Sequence, residues 1–279
     1  MKQTRHLLIA LALGTMLTSC GASVSTATVT GPAAYVDPYI GSGGHGHVFV
    51  GASVPFGAIQ AGPQNIHKGW DWCSGYHHSD SIVIGFAHTH LSGTGCTDMG
   101  DVQIMPYTGE LRSKRGRQED IGGSCSSYYS HDNESVSPGY YSLKMDNGVR
   151  IEMTASTRTA LHRITYPEAE GRRLLINLEE GNGDGAYDTY LRQTDAHTVE
   201  GYRFSKGWGP HKVFFALTTD KPIRSLALFD ADTPSEGSEI RCKGAKGVLT
   251  FDDEKQVMVK VAISSVSSAN ALENLRTEI

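Results

Sequence analysis

The protein has 279 residues and a formal net charge of −5, and its lysines and arginines are scattered along the chain. This distribution excludes the basic footprint of a nucleic-acid-binding surface, so we expect no nucleic-acid partner. Thirty-two glycines and twelve tyrosines, with few long helical patterns, favour β structure that is rich in turns.

The first twenty residues predict a lipoprotein signal peptide. A basic start at residues 2–6 precedes an apolar run at 7–17, which is too short for a membrane span of about 20 apolar residues. The run ends in Leu17-Thr18-Ser19-Cys20, which resembles a bacterial lipobox and predicts lipidation of Cys20. An ordinary secretory signal is the alternative. Residues 21–33 are small and polar, as in a tether. We therefore expect a protein of the cell envelope, a periplasmic lipoprotein that is anchored in the outer membrane.

Short apolar runs separated by turn residues recur through the rest of the chain. Residues 81–86 and 101–106 are candidates for buried strands, whereas the charged, serine-rich residues 109–137 are expected to form a solvated insertion. Asn147-Gly148 separates two alternating runs and predicts a hairpin, because Asn-Gly suits the two positive φ angles of a type I′ turn. Further strands are predicted at residues 161–166, 173–178, 198–204, 213–218, 223–229, 247–251 and 257–263.

Strands that recur at this rate without intervening helices predict an all-β fold. We assign residues 34–265 to one large, many-stranded antiparallel β-sandwich. The persuasive helical signal comes last, where Ser267 to Asn270 can cap the following run. We therefore assign residues 266–279 to the start of a linker helix.

Four cysteines follow Cys20. In an oxidising periplasm they would form up to two disulfides by three possible pairings, and the sequence does not choose among them. These cysteines are Cys73, Cys96, Cys125 and Cys242.

Residues 69–101 concentrate tryptophan, histidine, cysteine and aspartate in a segment that is too polar and too glycine-rich for a plain core. Trp70 and Trp72 allow two interpretations. Exposed indoles would stack on the C–H face of a pyranose while Asp71 and nearby imidazoles bind its hydroxyls. Alternatively, the two indoles form a buried pair in the sandwich core. Composition does not decide between them.

Three histidine pairs suggest a zinc hypothesis. Zinc takes four nitrogen, sulfur or oxygen ligands, but no spacing here selects four, and the Cys-x-x-Cys and His-Glu-x-x-His motifs are absent. We therefore expect no metal ligand in this chain and no stoichiometric zinc, with imidazoles bonded to backbone carbonyls or sugar hydroxyls. The pairs are His45 with His47, His77 with His78, and His88 with His90.

Two groups of acidic residues could in principle supply the paired carboxylates that glycoside hydrolysis needs. An inverting enzyme needs an acid and a base about 6.5–9.5 Å apart. Asp98 with Asp101, and Glu179 and Glu180 with Asp184, are the dense acidic groups near glycines, but neither has a feature that would separate two pKa values. We interpret them as solvated turn residues. The Gly-x-Ser-x-Gly pattern of a serine nucleophile does not occur. The residues by themselves therefore identify no convincing catalytic group.

Several long motifs resemble the N-terminal region of glycoside hydrolase family 92. The resemblance extends over residues 35–279. It is carried by Gly69-Trp-Asp-Trp-Cys-Ser-Gly-Tyr-His77, by Gly85-Phe-Ala-His-Thr-His-Leu-Ser-Gly-Thr-Gly-Cys96, and by residues 35–47, 55–57, 137–141, 201–208 and 261–266.

The resemblance implies a calcium-dependent, inverting exo-α-mannosidase of bacteria that trims mannose from glycans. Such enzymes combine an N-terminal β-sandwich with a C-terminal (α/α)₆ barrel, which would hold the acid, the base and most Ca²⁺ ligands. The sandwich would form one wall of the substrate pocket. The motif implies substrate-binding roles for Trp70, Asp71, Trp72 and Cys73, with His45, His47, His88 and His90 fixing loops or binding hydroxyls.

The resemblance also implies that the chain ends before the barrel and that, by itself, it does not hydrolyse mannosides. We expect the N-terminal pocket domain of an α-mannosidase. Its partners would be α-mannoside glycans, the missing barrel and the membrane that holds Cys20. The alternative is a stand-alone carbohydrate-binding lipoprotein without catalytic activity.

Overall fold

The structure is a computed structural model that describes residues 30–279. The predicted signal peptide, Cys20 and most of the tether lie outside the described residues. The strands are β1 Ala52–Ser53, β2 Gln60–Gln64, β3 Ile82–Val83, β4 Gly85–Ala87, β5 Gln103–Tyr107, β6 Ser127–Tyr128, β7 Glu134–Ser137, β8 Tyr140–Lys144, β9 Arg150–Ala155, β10 Thr159–Thr165, β11 Arg173–Asn177, β12 Gly185–Gln193, β13 Thr198–Lys206, β14 Pro210–Thr219, β15 Ser225–Asp230, β16 Thr233–Ser235, β17 Glu239–Cys242, β18 Ala245–Thr250 and β19 Gln256–Ser264.

The predicted antiparallel β-sandwich is confirmed. One sheet has eight strands in the order β1-β2-β4-β5-β11-β18-β15-β16, and the other has nine in the order β17-β12-β13-β14-β19-β10-β9-β8-β7. β3 and β6 form a separate two-stranded sheet. Short 3₁₀ helices span Gly31–Tyr35, Trp70–Trp72 and His131–Asn133, and one α-helix, α1, spans Ser268–Glu278.

One apolar core lies between the two large sheets. Its residues come from both, for example Ile104 and Leu175 from the eight-stranded sheet and Ile151 and Val259 from the nine-stranded sheet. β10 shows the alternation that builds this core, because its buried residues alternate with half-buried ones. Burial of alternate apolar side chains from two sheets is the main stabilising contribution in such a sandwich.

Helix α1 lies on the outer face of the nine-stranded sheet. Ala271 and Leu275 of the helix pack against Ala216 of β14 and Ala262 of β19, which are small enough to admit a helix close to the strands. The hydroxyl of Ser267 accepts a hydrogen bond from the backbone N–H of Asn270, as the sequence predicts for the N-cap. Among residues 30–279, no helix is both long enough and apolar enough to cross a membrane.

The hairpin at Asn147-Gly148 is present, but its predicted turn type is wrong. β8 and β9 pair, and Gly148 has φ +87°, whereas Asn147 is not among the residues with positive φ. The loop closes through a hydrogen bond from the N–H of Gly148 to the carbonyl of Met145. A longer loop with one left-handed glycine replaces the two-residue type I′ turn, because Asp146 also belongs to the loop.

The prediction that residues 109–137 are a solvated insertion is also wrong in part. Ile121 and Cys125 are buried, and Ile121 packs against Ile82 and Ile84. The segment also forms the whole of β6 and of β7. The segment reads as solvated in the sequence because most of its residues are polar or charged, and only a few of its apolar side chains point into the protein.

The strand predicted at residues 81–86 is divided into β3 and β4, which belong to different sheets. The polar strand β12 was not predicted, since its inward residues are few and its outer face carries tyrosine, aspartate and arginine. All four described cysteines are free thiols, so none of the three possible disulfide patterns is present in residues 30–279.

Candidate functional site

Two exposed tryptophans flank an open groove at one end of the sandwich. Trp70 begins the 3₁₀ helix Trp70–Trp72 and is 58% exposed, and Trp208, between β13 and β14, is 84% exposed. The groove has a volume of about 510 Å³. It is lined by His67, Trp70, Gly95, Cys96, Thr97, Gly183, Lys206, Gly207 and Trp208.

The Trp70 indole is exposed but held in place. Its Nε1–H donates to the carbonyl of Gly95 at 2.8 Å, and the ring of His47 meets it edge-on with 4.1 Å between ring centres. A Cβ added to Gly95 would lie 3.1 Å from the indole nitrogen, so glycine permits this close approach. The exposed face of the indole is therefore a preformed apolar surface.

Asp71 connects the first histidine pair to the Trp70 helix. Its Oδ1 accepts from Nδ1 of His45 at 2.6 Å and from Nε2 of His47 at 3.3 Å. The hydrogen bond from His45 lowers the pKa of Asp71, partial burial opposes this shift, and the hydrogen bond from His47 adds to the lowering. The structure thus brings four of the predicted site residues, Trp70, Asp71, His45 and His47, to one surface.

Trp72 lies on the other side of the same 3₁₀ helix and is packed. Its Nε1–H donates to Oδ2 of Asp80 at 2.9 Å, and its ring stacks on His77 with 4.3 Å between centres. Lys68 pairs with the same Asp80 at 2.9 Å. Trp72 therefore supports the loop. It is half-buried and lies outside the apolar core, so the two indoles do not form the buried core pair.

Besides His47, three of the predicted substrate-binding residues are buried, and none of these three lines the groove. Cys73 donates its thiol to the carbonyl of Thr94 at 2.9 Å and has no exposed surface. His90 donates from Nδ1 to the carbonyl of Gln60 at 2.7 Å, and burial lowers its pKa to about 4. Both side chains fix loops and do not reach the groove.

His88 is the third buried residue, and it pairs with His162 inside the core. Nδ1 of His88 lies 2.6 Å from the carbonyl of Val102, and its Nε2 lies 2.9 Å from Nε2 of His162. Burial lowers the pKa of His88 to about 4, so its ring is neutral near pH 7. Because Nδ1 must donate to the carbonyl, Nε2 of His88 accepts and the Nε2–H of His162 donates.

A buried ionic network lies beneath the groove. Arg203 of β13 has no exposed side-chain surface and donates to Asp101 at 2.6 Å and to Asp184 at 2.7 and 2.9 Å. Its Nε–H donates to the carbonyl of Leu178 at 3.0 Å. The interpretation of Asp101 and Asp184 as solvated turn residues is therefore wrong, since both carboxylates are buried as partners of one guanidinium.

His211 of β14 completes this network. Its Nε2 lies 3.3 Å from the Asp101 carboxylate and 2.8 Å from the hydroxyl of Ser205. The hydrogen bond with Asp101 raises the pKa of His211, and burial opposes that rise only in part. Burial alone would raise the pKa of Asp101, but the hydrogen bond from His211 and the charge of Arg203 hold it below its usual value.

Asp98 joins the network to the exposed Trp208. One oxygen of Asp98 accepts from the backbone N–H of Met99, and the other accepts from the N–H of Trp208 at 2.9 Å. Sequence reasoning did not select Trp208, Arg203 or His211 as site residues. The signal for Trp208 was its position between two glycines, Gly207 and Gly209.

The described residues do not fit a calcium site at this network. Asp98, Asp184 and His211 bring one potential ligand atom each within 4.8 Å of one another. Calcium prefers about six to eight oxygen ligands. This set contributes an imidazole nitrogen, and Arg203 already supplies the positive charge beside Asp184. The arrangement is suited to holding the groove residues in place.

Comparison with known proteins identifies relatives of this fold. The family model of the glycosyl hydrolase family 92 N-terminal domain matches residues 35–264. A family GH92 α-mannosidase from Bacteroides thetaiotaomicron, solved free and with mannoimidazole, is 35% identical with TM-scores of 0.84 and 0.83. The match covers 88% of this chain and 35% and 34% of those chains.

Two further relatives are more distant. An inverting mannosidase of family GH92 from Bacteroides thetaiotaomicron shares the fold, with a TM-score of 0.74 at 24% identity over 88% of this chain and 33% of that one. An uncharacterised secreted glycosidase of Arthroderma benhamiae is 32% identical over 158 residues, which are 53% of this chain and 18% of that protein. The chain thus spans about a third of the length of the solved enzymes.

Replacing Arg203 tests the buried network. We expect Arg203→Met to lower the free energy of unfolding by about 3–5 kcal/mol, because two buried carboxylates lose their cation. The measurement is chemical denaturation at pH 7. Arg241→Met is the matched control: its pair with Asp188 lies at the surface, so we expect little change. An Arg203→Met protein as stable as the wild type would contradict the role assigned to the network.

The pH dependence of stability tests His211. Its folded-state pKa is raised above the unfolded value of about 6.5, so its stabilising contribution is complete below that pH. The contribution is lost as the pH rises through the folded-state pKa. We therefore expect the stability difference between wild type and His211→Gln to shrink from pH 5.5 to about pH 9. Thermal unfolding of both proteins across this range gives the difference directly, and a difference that grows with pH would refute the assignment.

Proposed function

The chain belongs to glycoside hydrolase family 92 as its N-terminal domain, and we propose that it forms one wall of the substrate pocket of an exo-α-mannosidase. The groove between Trp70 and Trp208 is the observation that carries this proposal. The two indoles offer apolar faces of the size of a pyranose. The Trp70 indole is fixed by a hydrogen bond from its ring nitrogen, and the backbone of Trp208 is held by Asp98.

The polar groups around the groove suit a neutral sugar. Asp71 is an acceptor held ionised by two imidazoles, and His45 is exposed beside it. Lys206 lines the groove as a donor. Sugar hydroxyls both donate and accept, so a rim with both kinds of group around an aromatic face matches their chemistry. Cys73, His88 and His90 contribute indirectly, by fixing the loops from within.

We place no catalytic residue in residues 30–279. The carboxylates nearest the groove are bound to Arg203, to His211 or to backbone N–H groups, and Asp71 is bound to the imidazoles of His45 and His47. None is therefore arranged as a free acid or base. We propose that the acid and the base come from a catalytic (α/α)₆ barrel, as the family resemblance implies. Inversion and calcium dependence belong to the same proposal, with the calcium ligands in the barrel. The greater length of the matched enzymes supports the involvement of a second domain.

We also propose that the protein works in the cell envelope, as a periplasmic lipoprotein held in the outer membrane through Cys20. The lipobox pattern at residues 17–20 supports this location. The Arthroderma benhamiae relative is described as secreted, which agrees with a position outside the cytoplasm. α-Mannoside glycans would be met there.

A stand-alone carbohydrate-binding lipoprotein is the second candidate. It is favoured by the exposure of both indoles at a groove formed within this domain alone. Calorimetry with methyl α-mannoside separates the two proposals. Millimolar or weaker binding by this chain agrees with half of a pocket, whereas micromolar binding with no hydrolysis by any complete form of the protein would establish the second candidate.

Truncating Trp70 tests the pocket wall. In the complete enzyme that contains this domain, we expect Trp70→Ala to lower kcat/KM for an aryl α-mannoside at least about tenfold. A tenfold decrease corresponds to a loss of about 1.4 kcal/mol of transition-state stabilisation. The melting temperature should fall less than for Trp72→Ala, because the Trp70 indole is 58% exposed and its loss removes one hydrogen bond and the contact with His47.

Trp72→Ala is the matched comparison. It removes a packed indole and leaves Asp80 without one donor, so we expect loss of stability of up to about 3 kcal/mol. Equal thermal destabilisation by both variants, with unchanged kcat/KM for folded Trp70→Ala, would show that both indoles are structural only.

The isolated chain provides a separate test. We expect purified protein limited to these 279 residues to release no mannose from α-mannosides, since no free acid–base pair lies in its described part. Mannose release that survives repurification and disappears with chelator would overturn this prediction.

A further inference from the structure

A second polar cluster lies outside the groove and is formed by His78, His131 and Glu134. His78 precedes β3, His131 begins a 3₁₀ helix, and Glu134 is the first residue of the edge strand β7. One potential ligand atom from each residue lies within 4.8 Å of the others. His78 is exposed and the other two are partly buried, so the cluster has one open side.

Glu134 is a buried carboxylate that has a histidine beside it but, among the described residues, no lysine or arginine partner. Its side chain has no exposed surface, and it accepts from the hydroxyl of Tyr76 at 3.0 Å and of Tyr141 at 2.6 Å. Nδ1 of His131 lies 2.7 Å away. Within residues 30–279, no lysine or arginine forms an ion pair with it. A buried carboxylate is costly unless a cation compensates it, so this position attracts positive charge.

The two tyrosine hydroxyls act as donors to Glu134. Each lies within hydrogen-bond distance of a carboxylate oxygen, which can only accept. Tyr76 has a single hydroxyl proton, and this proton is used in the hydrogen bond to Glu134. The contact of 3.3 Å between Tyr76 and Nδ1 of His78 therefore requires that the imidazole N–H donates to the tyrosine oxygen. The Nε2 of a neutral His78 is then a free lone pair.

The ring of His131 is also incompletely bonded. Its Nε2 is buried and has no hydrogen-bond partner among the described residues. Buried polar atoms without partners are rare in folded proteins, and an ion or a water usually explains them. The rings of His78 and His131 are stacked, with 4.2 Å between centres, so two imidazolium charges would repel each other. Protonating both rings is therefore a poor way to compensate Glu134.

We propose that His78, His131 and Glu134 bind one divalent transition-metal ion of the zinc type. Two imidazole nitrogens and one carboxylate oxygen are a ligand set that zinc accepts, whereas calcium and magnesium prefer oxygen ligands throughout. Tyr76 and Tyr141 orient the carboxylate from behind, as residues outside a metal's own ligands commonly do. Binding displaces any proton from the imidazole nitrogen that becomes a ligand and releases it to solvent.

This site differs from the zinc hypothesis that the histidine pairs suggest. It uses one member of one pair, His78, with two residues from the segment that was expected to be a solvated insertion. It is also independent of the groove, because neither tryptophan nor Asp71 belongs to it. The expectation of no metal ligand in this chain is thereby revised.

The test is zinc binding by the purified protein after chelator treatment. Calorimetric titration with zinc chloride should give close to one ion per chain, and metal analysis after dialysis should agree. Zinc should also raise the melting temperature, since it binds the folded state. His78→Ala, at an exposed position, should abolish the stoichiometric binding. Tyr141→Phe should weaken it by about 10–100-fold.

His197→Ala is the control, because His197 lies outside the cluster and contacts the carbonyl of Thr219. It should bind zinc like the wild type. Glu134→Gln supplies an independent variant, and it should lose the zinc-dependent rise in melting temperature. Wild-type protein that binds no stoichiometric zinc would overturn the proposal. Retention of full affinity by a folded His78→Ala protein would overturn it equally.

Discussion

The buried guanidinium of Arg203 is the constraint on which the groove end of this domain depends. It lies on β13 of the nine-stranded sheet and binds Asp101, which precedes β5 of the eight-stranded sheet, and Asp184, which precedes β12. It also binds the carbonyl of Leu178, just after β11. One side chain thus joins the ends of both sheets. Such a network contributes less to net stability than its Coulomb attraction suggests, but breaking it is costly, which favours one arrangement of the loops.

The loop beside this buried network holds the exposed residues of the groove in position. Asp98 holds the Trp208 backbone, and the Gly95 carbonyl, in a neighbouring part of the same loop, holds the Trp70 indole. A rigid support lowers the entropy that must be lost when an aromatic face binds a ligand. The proposed function therefore needs both layers, an outer layer that contacts sugar and an inner layer that fixes it.

The histidines of residues 45–162 divide into groups by their surroundings. His88, His90 and His162 are buried and neutral, and burial lowers the pKa of each. His45 and His47 bind a carboxylate at the surface, whereas His78 and His131 stack beside the buried Glu134. The same residue type thus serves core packing, loop support and, in the proposed zinc site, metal binding. Composition cannot separate these uses, because solvation and the neighbouring charge decide them.

The sequence by itself determined the fold class and part of the site. In β8–β10 and β19, apolar residues alternate with polar ones, and this local pattern predicts half-buried strands. The succession of such strands along the chain predicts the sandwich. The short, unusual motifs also predicted Trp70, Asp71, His45 and His47 as site residues, and these four lie together beside the groove. Only the tertiary structure decided that Trp208 faces Trp70, that Asp98 and Trp208 bond across 110 residues, and that His88 is enclosed. It likewise brought His131 and Glu134 to His78. These contacts depend on how two sheets pack and where their loops meet, and no local pattern records the distance between segments far apart in the chain.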